Sequence, residues 1–257
     1  MTWLLIGFSA LYGLVVGSFL NVVVYRIPAG LSVVRPPSAC PNCESPIRPR
    51  DNIPILGWVL LRGRCRDCGE PISIRYPIVE ASTAILLGAT AALIGLHWTL
   101  PAYLWFVGVT FALALVDLDT KRLPNRIMLP GTVVGAVLLA VGAGIEGEWS
   151  QFLTGLAVGA GLFVLFLLLA LAVPAGFGMG DVKLIFILGL FSGYASLAAG
   201  LFAAFAGFFI GGLISVLLLL TRRADRKTAI PFGPSLVAGS WLAVAAGTQI
   251  VDWYLGF

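Results

Sequence analysis

Eight long apolar runs constrain the fold of this chain more than any other feature. Six have the length of about 17–25 residues with which a helix spans a bilayer, and the two shortest, 130–145 and 182–197, have 16 residues. With 59% hydrophobic and only 11% charged residues, the chain carries more apolar surface than a soluble domain needs. The sequence therefore predicts an all-α polytopic membrane protein, a bundle of about eight transmembrane helices. The runs lie at residues 3–25, 78–96, 101–118, 130–145, 152–173, 182–197, 199–220 and 235–255.

Basic residues occupy alternate loops of this predicted bundle. All 16 Lys and Arg residues follow the first, third, fifth and seventh runs; the last of these loops carries Arg222, Arg223, Arg226 and Lys227. Because Lys and Arg are concentrated in cytoplasmic loops of membrane proteins, we expect these loops in the cytoplasm and both termini outside. This topology accounts for the net charge of +4 without nucleic-acid binding. The expected partner of the helices is membrane lipid.

All four cysteines lie in a single polar insert, residues 26–77. Two Cys-x-x-Cys pairs, Cys40/Cys43 and Cys65/Cys68, are separated by 21 residues, a pattern typical of tetrahedral zinc sites. Disulfides are rare in the reducing cytoplasm, and metal binding can supply the folding energy that a small insert lacks. The sequence predicts a structural zinc in a zinc-ribbon-like insert; a reduced metal-free insert or a redox-active dithiol is the alternative.

Two acids border apolar runs on the side of the basic loops. Asp117 closes the run that ends at Val116, and Asp181 follows two glycines in the segment 178–181 (GMGD). Carboxylates at the edge of a bilayer are costly to keep, so they are functional candidates. If the two acids meet, they can share one proton and activate a water, as in aspartic proteases. Considered alone, Asp117 could equally be a polar residue that lines a helix end.

Other polar residues have structural interpretations. Asp119 points about 200° away from Asp117 on a helix, so we expect it at a solvated helix end or in an ion pair. His97 lies beside Trp98 in an outer loop, where an interfacial role is expected. Glu80 should complement the dipole of the second long helix or pair with a neighbouring arginine. The segment 231–234 (PFGP) is expected to shape the start of the last helix.

Several segments together resemble bacterial type IV prepilin peptidases, the aspartic membrane proteases with a Gly-x-Gly-Asp signature. The resemblance covers nearly the whole chain. Its segments are 17–23 (GSFLNVV), 25–28 (YRIP), the paired Cys-x-x-Cys insert, 75–80 (RYPIVE), 117–119 (DLD) with 123–125 (LPN), 178–183 (GMGDVK) and 231–234 (PFGP).

The resemblance implies a function and a location. Asp117 and Asp181 would be the catalytic pair of an aspartic endopeptidase that cuts the leader from pilin and pseudopilin precursors. The enzyme would lie in the bacterial cytoplasmic (inner) membrane with its active site facing the cytoplasm. It would also N-methylate the new terminus from S-adenosylmethionine, although no residue is assigned to that cofactor. The implied organisation is a first transmembrane helix at 1–25, a cytoplasmic four-cysteine domain at 26–77 and a peptidase core at 78–257.

Two other classes of function remain open from the residues alone. In an ion-coupled transporter, Asp117 and Asp181 would carry ions, although such acids are expected near the membrane midplane in paired broken helices. In a noncatalytic zinc-ribbon membrane scaffold, the insert would have a role but the two acids would not. Loss of precursor cleavage in Asp117→Asn or Asp181→Asn variants would distinguish the peptidase from both.

Overall fold

A computed structural model describes residues 2–173, 178–222, 225, 228 and 230–256. Regular structure in these residues is helical, apart from two isolated β-bridges in the insert. The predicted all-α class is therefore confirmed. Three of the basic residues in the last loop, Arg223, Arg226 and Lys227, lie outside the described residues. The chain forms two compact units, one that ends at Leu96 and one that begins at His97.

The first unit contains two long helices and the insert between them. Helices α1 (Thr2–Arg26) and α3 (Arg75–Ile94) pack together through small residues. A Cβ added at Gly13 or Gly17 of α1 would lie 2.7 Å from the backbone of α3. Small residues allow membrane helices to approach this closely. The contacts thus group α3 with α1; the division of the chain at residue 78 stays a prediction. The helices are α1 Thr2–Arg26, the short α2 Leu56–Leu60 and α3 Arg75–Ile94.

The second unit is a bundle of six helices among the described residues. They are α4 Leu100–Thr120, α5 Asn125–Glu146, α6 Trp149–Ala172, α7 Met179–Ala195, α8 Leu197–Leu220 and α9 Gly233–Leu255.

Helix α7 forms the centre of the second unit. Its residues from Val182 to Tyr194 are almost all buried, which explains why it is apolar on every face. Helix α6 contacts it closely, since a Cβ on Gly159 would lie 2.7 Å from the Phe186 carbonyl oxygen. From α4, the ring of Phe106 stacks on Phe191 at 4.3 Å.

Seven helices in the described chain are long and apolar enough to cross a membrane. They correspond to seven of the eight predicted spans. The remaining predicted span, 182–197, corresponds to α7. This helix has 17 residues and a length of about 26 Å at 1.5 Å per residue, slightly less than the thickness of a bilayer core. Its role as a span therefore stays a prediction. Large apolar side chains such as Phe205 and Phe209 of α8 are more than 60% exposed, as expected of helices that face lipid.

Candidate active site and metal centre

Asp117 lies at the end of α4 in a buried position. Asp117 is 5% exposed, whereas Asp119, two positions further along the helix, is an exposed residue. This difference agrees with the opposite directions expected for the two side chains. Asp117 accepts a hydrogen bond of 2.9 Å to Oδ2 from the backbone N–H of Gly233, the first residue of α9. A carboxylate at a helix N-terminus is stabilised by the positive end of the helix dipole.

Asp181 lies in the first turn of α7, at the same end of the second unit. Its backbone N–H bonds the carbonyl of Gly178 at 3.0 Å, and its carboxyl group is partly buried. Gly180 packs against Leu123, just beyond the end of α4, where an added Cβ would lie 3.0 Å away. The carboxyl groups of Asp117 and Asp181 interact electrostatically. The structure therefore brings the two predicted residues to one end of the bundle.

A second contact fixes the start of α7 against α5. The Lys183 ammonium donates to Oδ1 of Asn125 at 3.2 Å, and Asn125 is the first residue of α5. Because a four-residue loop separates α4 from α5, this bond links the start of α7 to the segment that follows the end of α4. Sequence reasoning did not assign a role to either partner. The basic residue two positions after Asp181 was the available signal, but nothing local indicated its partner.

The four cysteine sulfurs form one cluster in the first unit. Their Sγ atoms all lie within 4.8 Å of one another; Cys40 and Cys68 are 3.8 Å apart, and Cys43 and Cys65 are 4.0 Å apart. A tetrahedron with zinc–sulfur bonds of about 2.3 Å has edges of about 3.8 Å. The donor set and its spacing therefore fit a metal ion.

The thiols of this cluster differ in their pKa values. Hydrogen bonds from the side chain and then the backbone of Ser45 lower the pKa of Cys43 to about 6. The backbone N–H of Glu70 lowers the pKa of Cys68, but desolvation and the neighbouring thiols outweigh it and raise that pKa to about 11. Four thiolates at this spacing repel one another, so a bound cation is needed to hold them all ionised.

Two ion pairs connect the halves of the insert around this cluster. Arg48 pairs with Asp67 at 2.8 Å, and Arg66 pairs with Asp51 at 2.6 Å. Each pair joins a residue near one Cys-x-x-Cys turn to a residue near the other. The two turns are also alike in structure, since each is closed by an antiparallel β-bridge. The insert therefore has polar crosslinks that align the two cysteine pairs.

Glu80 has a partner that the sequence did not indicate. This residue of α3 is 7% exposed, and its Oε2 accepts the backbone N–H of Ile55 at 2.7 Å. Ile55 directly precedes α2 and has a φ of 58°, which is unusual for a β-branched residue. The structural role expected for Glu80 therefore takes the form of a contact with the insert.

His97 joins a polar cluster at the start of the second unit. Its Nε2 lies 3.5 Å from Glu146 and 3.8 Å from Glu148, and Glu148 accepts the hydroxyl of Tyr194 at 2.5 Å. These residues join α5 and α7 to the turns before α4 and α6. None of their described contacts involves Asp117 or Asp181, and the interfacial role of His97 stays a prediction.

The fold defines a class, a multi-pass helical membrane protein, in which Asp117 and Asp181 are the candidate acids of an aspartic peptidase. Comparison of the sequence with protein families gives a narrower answer. Residues 11–94 match the Bacterial Peptidase A24 N-terminal domain, and residues 104–216 match the type IV leader peptidase family. The chain belongs to the type IV leader peptidase family, which confirms the resemblance noted from its motifs.

Individual relatives support the same assignment over the full length. A prepilin leader peptidase/N-methyltransferase of Aeromonas hydrophila is 34% identical, with 99% of this chain and 95% of the relative aligned. Proteins with that name from Pseudomonas aeruginosa and Bacillus subtilis are 35% and 33% identical, over 97% and 95% of this chain and 93% and 96% of the relatives. No solved structure matches the chain.

Proposed function

We propose that this protein is a membrane aspartic endopeptidase that removes the leader peptide from type IV prepilins and pseudopilins. The observation that supports the proposal is that Asp117 ends α4 and Asp181 begins α7 at the same end of the second unit, where their charges interact. The similarity to prepilin leader peptidases supplies the substrate class. The transporter and scaffold alternatives are not favoured, because the family match extends over both units.

The two carboxyl groups supply the chemistry of peptide hydrolysis. With one proton shared between them, the protonated acid polarises the scissile carbonyl while the ionised acid takes a proton from a water. The water oxygen then bonds to the carbonyl carbon. Breakdown of the resulting intermediate breaks the C–N bond, and the leaving nitrogen takes a proton from an acid of the pair. Two carboxyl groups that interact strongly enough to share one proton would titrate as a unit.

The proposed setting is the bacterial inner membrane, with the basic loops and the acid pair at the cytoplasmic face. The concentration of Lys and Arg in alternate loops supports this orientation. A precursor would place its apolar helix along the bundle and its leader at the membrane boundary. Cleavage beside the acid pair would then separate the leader from the helix.

The cysteine cluster is proposed to hold a structural zinc. The residues that would bind it are Cys40, Cys43, Cys65 and Cys68, whose four sulfurs fill a tetrahedral site. A site closed by four thiolates leaves no position for substrate, so the metal would stabilise the insert and take no part in hydrolysis.

A second activity, N-methylation of the new terminus, is proposed from the names of the relatives. S-adenosylmethionine would be the methyl donor, and we assign none of the described residues to it. Transfer of labelled methyl groups to a cleaved precursor tests this activity separately from cleavage.

The experiment for the peptidase uses purified protein in detergent or lipid with a precursor protein. We expect Asp117→Asn and Asp181→Asn each to abolish cleavage while the helical circular dichroism is retained. Asp119→Asn is the matched control, because the exposed Asp119 lies two positions from Asp117 on the same helix. Cleavage by either of the first two variants at the wild-type rate would refute the assignment of the pair.

A further inference from the structure

The start of α9 is attached directly to Asp117. The N–H of Gly233 donates to Oδ2 of Asp117 across 2.9 Å, although the two residues are 116 positions apart in the chain. The bond is buried. A buried hydrogen bond to one carboxyl oxygen restricts the rotation of the whole carboxyl group, because both of its oxygens move together.

The local sequence makes Gly233 the principal donor at this helix start. The first N–H groups of a helix have no partner inside the helix. The residue before α9, Phe232, provides no side-chain cap, and Pro234 has no N–H to donate. The Asp117 side chain therefore acts as the cap of α9, supplied from another helix.

The contact between Gly233 and Asp117 also requires that residue 233 has no side chain. A Cβ built on Gly233 would lie 2.8 Å from Oδ2 of Asp117 and 3.3 Å from its Cγ. These are side-chain atoms that can rotate away. By contrast, a Cβ on Gly207 would meet the backbone of Leu236 at 2.8 Å, where only a shift of a helix could give space. An alanine at 233 would thus be accommodated by displacement of the acid.

Aromatic packing holds the turn that presents this N–H. The ring of Phe232 lies 5.3 Å from that of Phe208, which stacks on Phe166 at 5.1 Å. A Cβ on Gly211 would lie 2.6 Å from the Phe232 ring, so the ring packs directly against α8 at Gly211. Residues of α6 and α8 thereby fix the position of the residue before Gly233, and with it the direction of the N–H.

We propose that Gly233 is a positioning residue for peptide hydrolysis. Its main-chain N–H orients the Asp117 carboxyl group, and its lack of a side chain keeps that orientation free of steric conflict. The inference rests on the proposed function, since the orientation matters only if Asp117 reacts. The segment 231–234 (PFGP), expected from the sequence to shape the start of the last helix, would then act on the active site as well.

The test compares Gly233→Ala with Gly212→Ala in the precursor cleavage assay. Misplacement of a reacting group by about 1 Å can reduce a rate by about 10²-fold. We expect a loss of that order in kcat for Gly233→Ala, with KM changed less than about twofold because the substrate contacts persist. Gly212 also lies in a membrane helix, and a Cβ there would meet nothing within 4 Å, so Gly212→Ala should cleave like the wild type. A wild-type kcat for Gly233→Ala would overturn the proposal.

A second measurement does not depend on activity or on the folding of Gly233→Ala. With ¹⁵N-glycine labelling, the amide signal of Gly233 should shift in Asp117→Ala and change much less in Asp181→Ala, because only Asp117 accepts its N–H. An unchanged signal in Asp117→Ala would overturn the proposed contact. A wild-type protein that cleaves no precursor would refute the proposed function even if the signal shifts, so the two failures are distinguishable.

Discussion

Replacement of Glu80 should loosen the insert at one defined amide. In the native structure its carboxylate accepts the N–H of Ile55 at 2.7 Å, and the acid is 7% exposed. Glu80→Ala leaves that N–H without its acceptor, which costs about 1–3 kcal/mol when the group is buried. Since about 1.4 kcal/mol corresponds to a tenfold change in an equilibrium constant, local opening at Ile55 should become about 5- to 150-fold more populated.

Backbone strain acts in the same direction. Ile55 has a φ of 58°, and a branched residue in this region costs about 1–3 kcal/mol. The hydrogen bond to Glu80 offsets that cost in the native state. Once the bond is removed, the strain favours release of the segment before α2.

Amide hydrogen exchange of Ile55 measures this effect directly. Glu80→Gln keeps an oxygen acceptor and should lose only the charge contribution, about 1 kcal/mol, so its exchange should lie between the wild type and Glu80→Ala. Glu70→Ala serves as the control for loss of an acid, because Glu70 is exposed and its described hydrogen bonds, with Cys65 and Cys68, are made by its backbone. Exchange at Ile55 that is equal in Glu80→Ala and the wild type would refute the reasoning.

The remaining predictions concern the insert. Cys65→Ser should lower the zinc content and increase proteolysis of the segment 26–77, because a tetrahedral site loses one of its four ligands; full metal content in purified Cys65→Ser would contradict the assignment. The hydrogen bond and charge of Arg66 hold the pKa of Asp51 below its usual value, so the stability from this pair should be present above about pH 4 and lost as the pH falls. The difference in urea stability between wild type and Arg66→Gln should therefore be clear near about pH 6 and vanish near about pH 2; a difference that persists in acid would count against the pair.

The sequence alone was sufficient for the properties that depend on short stretches of chain. Long apolar runs predicted the helices because hydrophobicity over about 20 residues is a local quantity, and seven of the predicted spans have the required length and composition. The spacing of the cysteines predicted a metal site because each Cys-x-x-Cys pair forms a turn from a short stretch of chain. The Gly-x-Gly-Asp segment marked Asp181 as a candidate.

Only the tertiary structure decided which distant groups meet. The bonds from Gly233 to Asp117 and from Ile55 to Glu80 join residues 116 and 25 positions apart, and neither leaves a periodic signal in the sequence. They depend on how closely the helices approach, which small residues such as Gly17 in α1 determine through contacts of their backbones. Hydropathy predicts whether a helix is buried or faces lipid. The direction of a single N–H depends on how the helices pack.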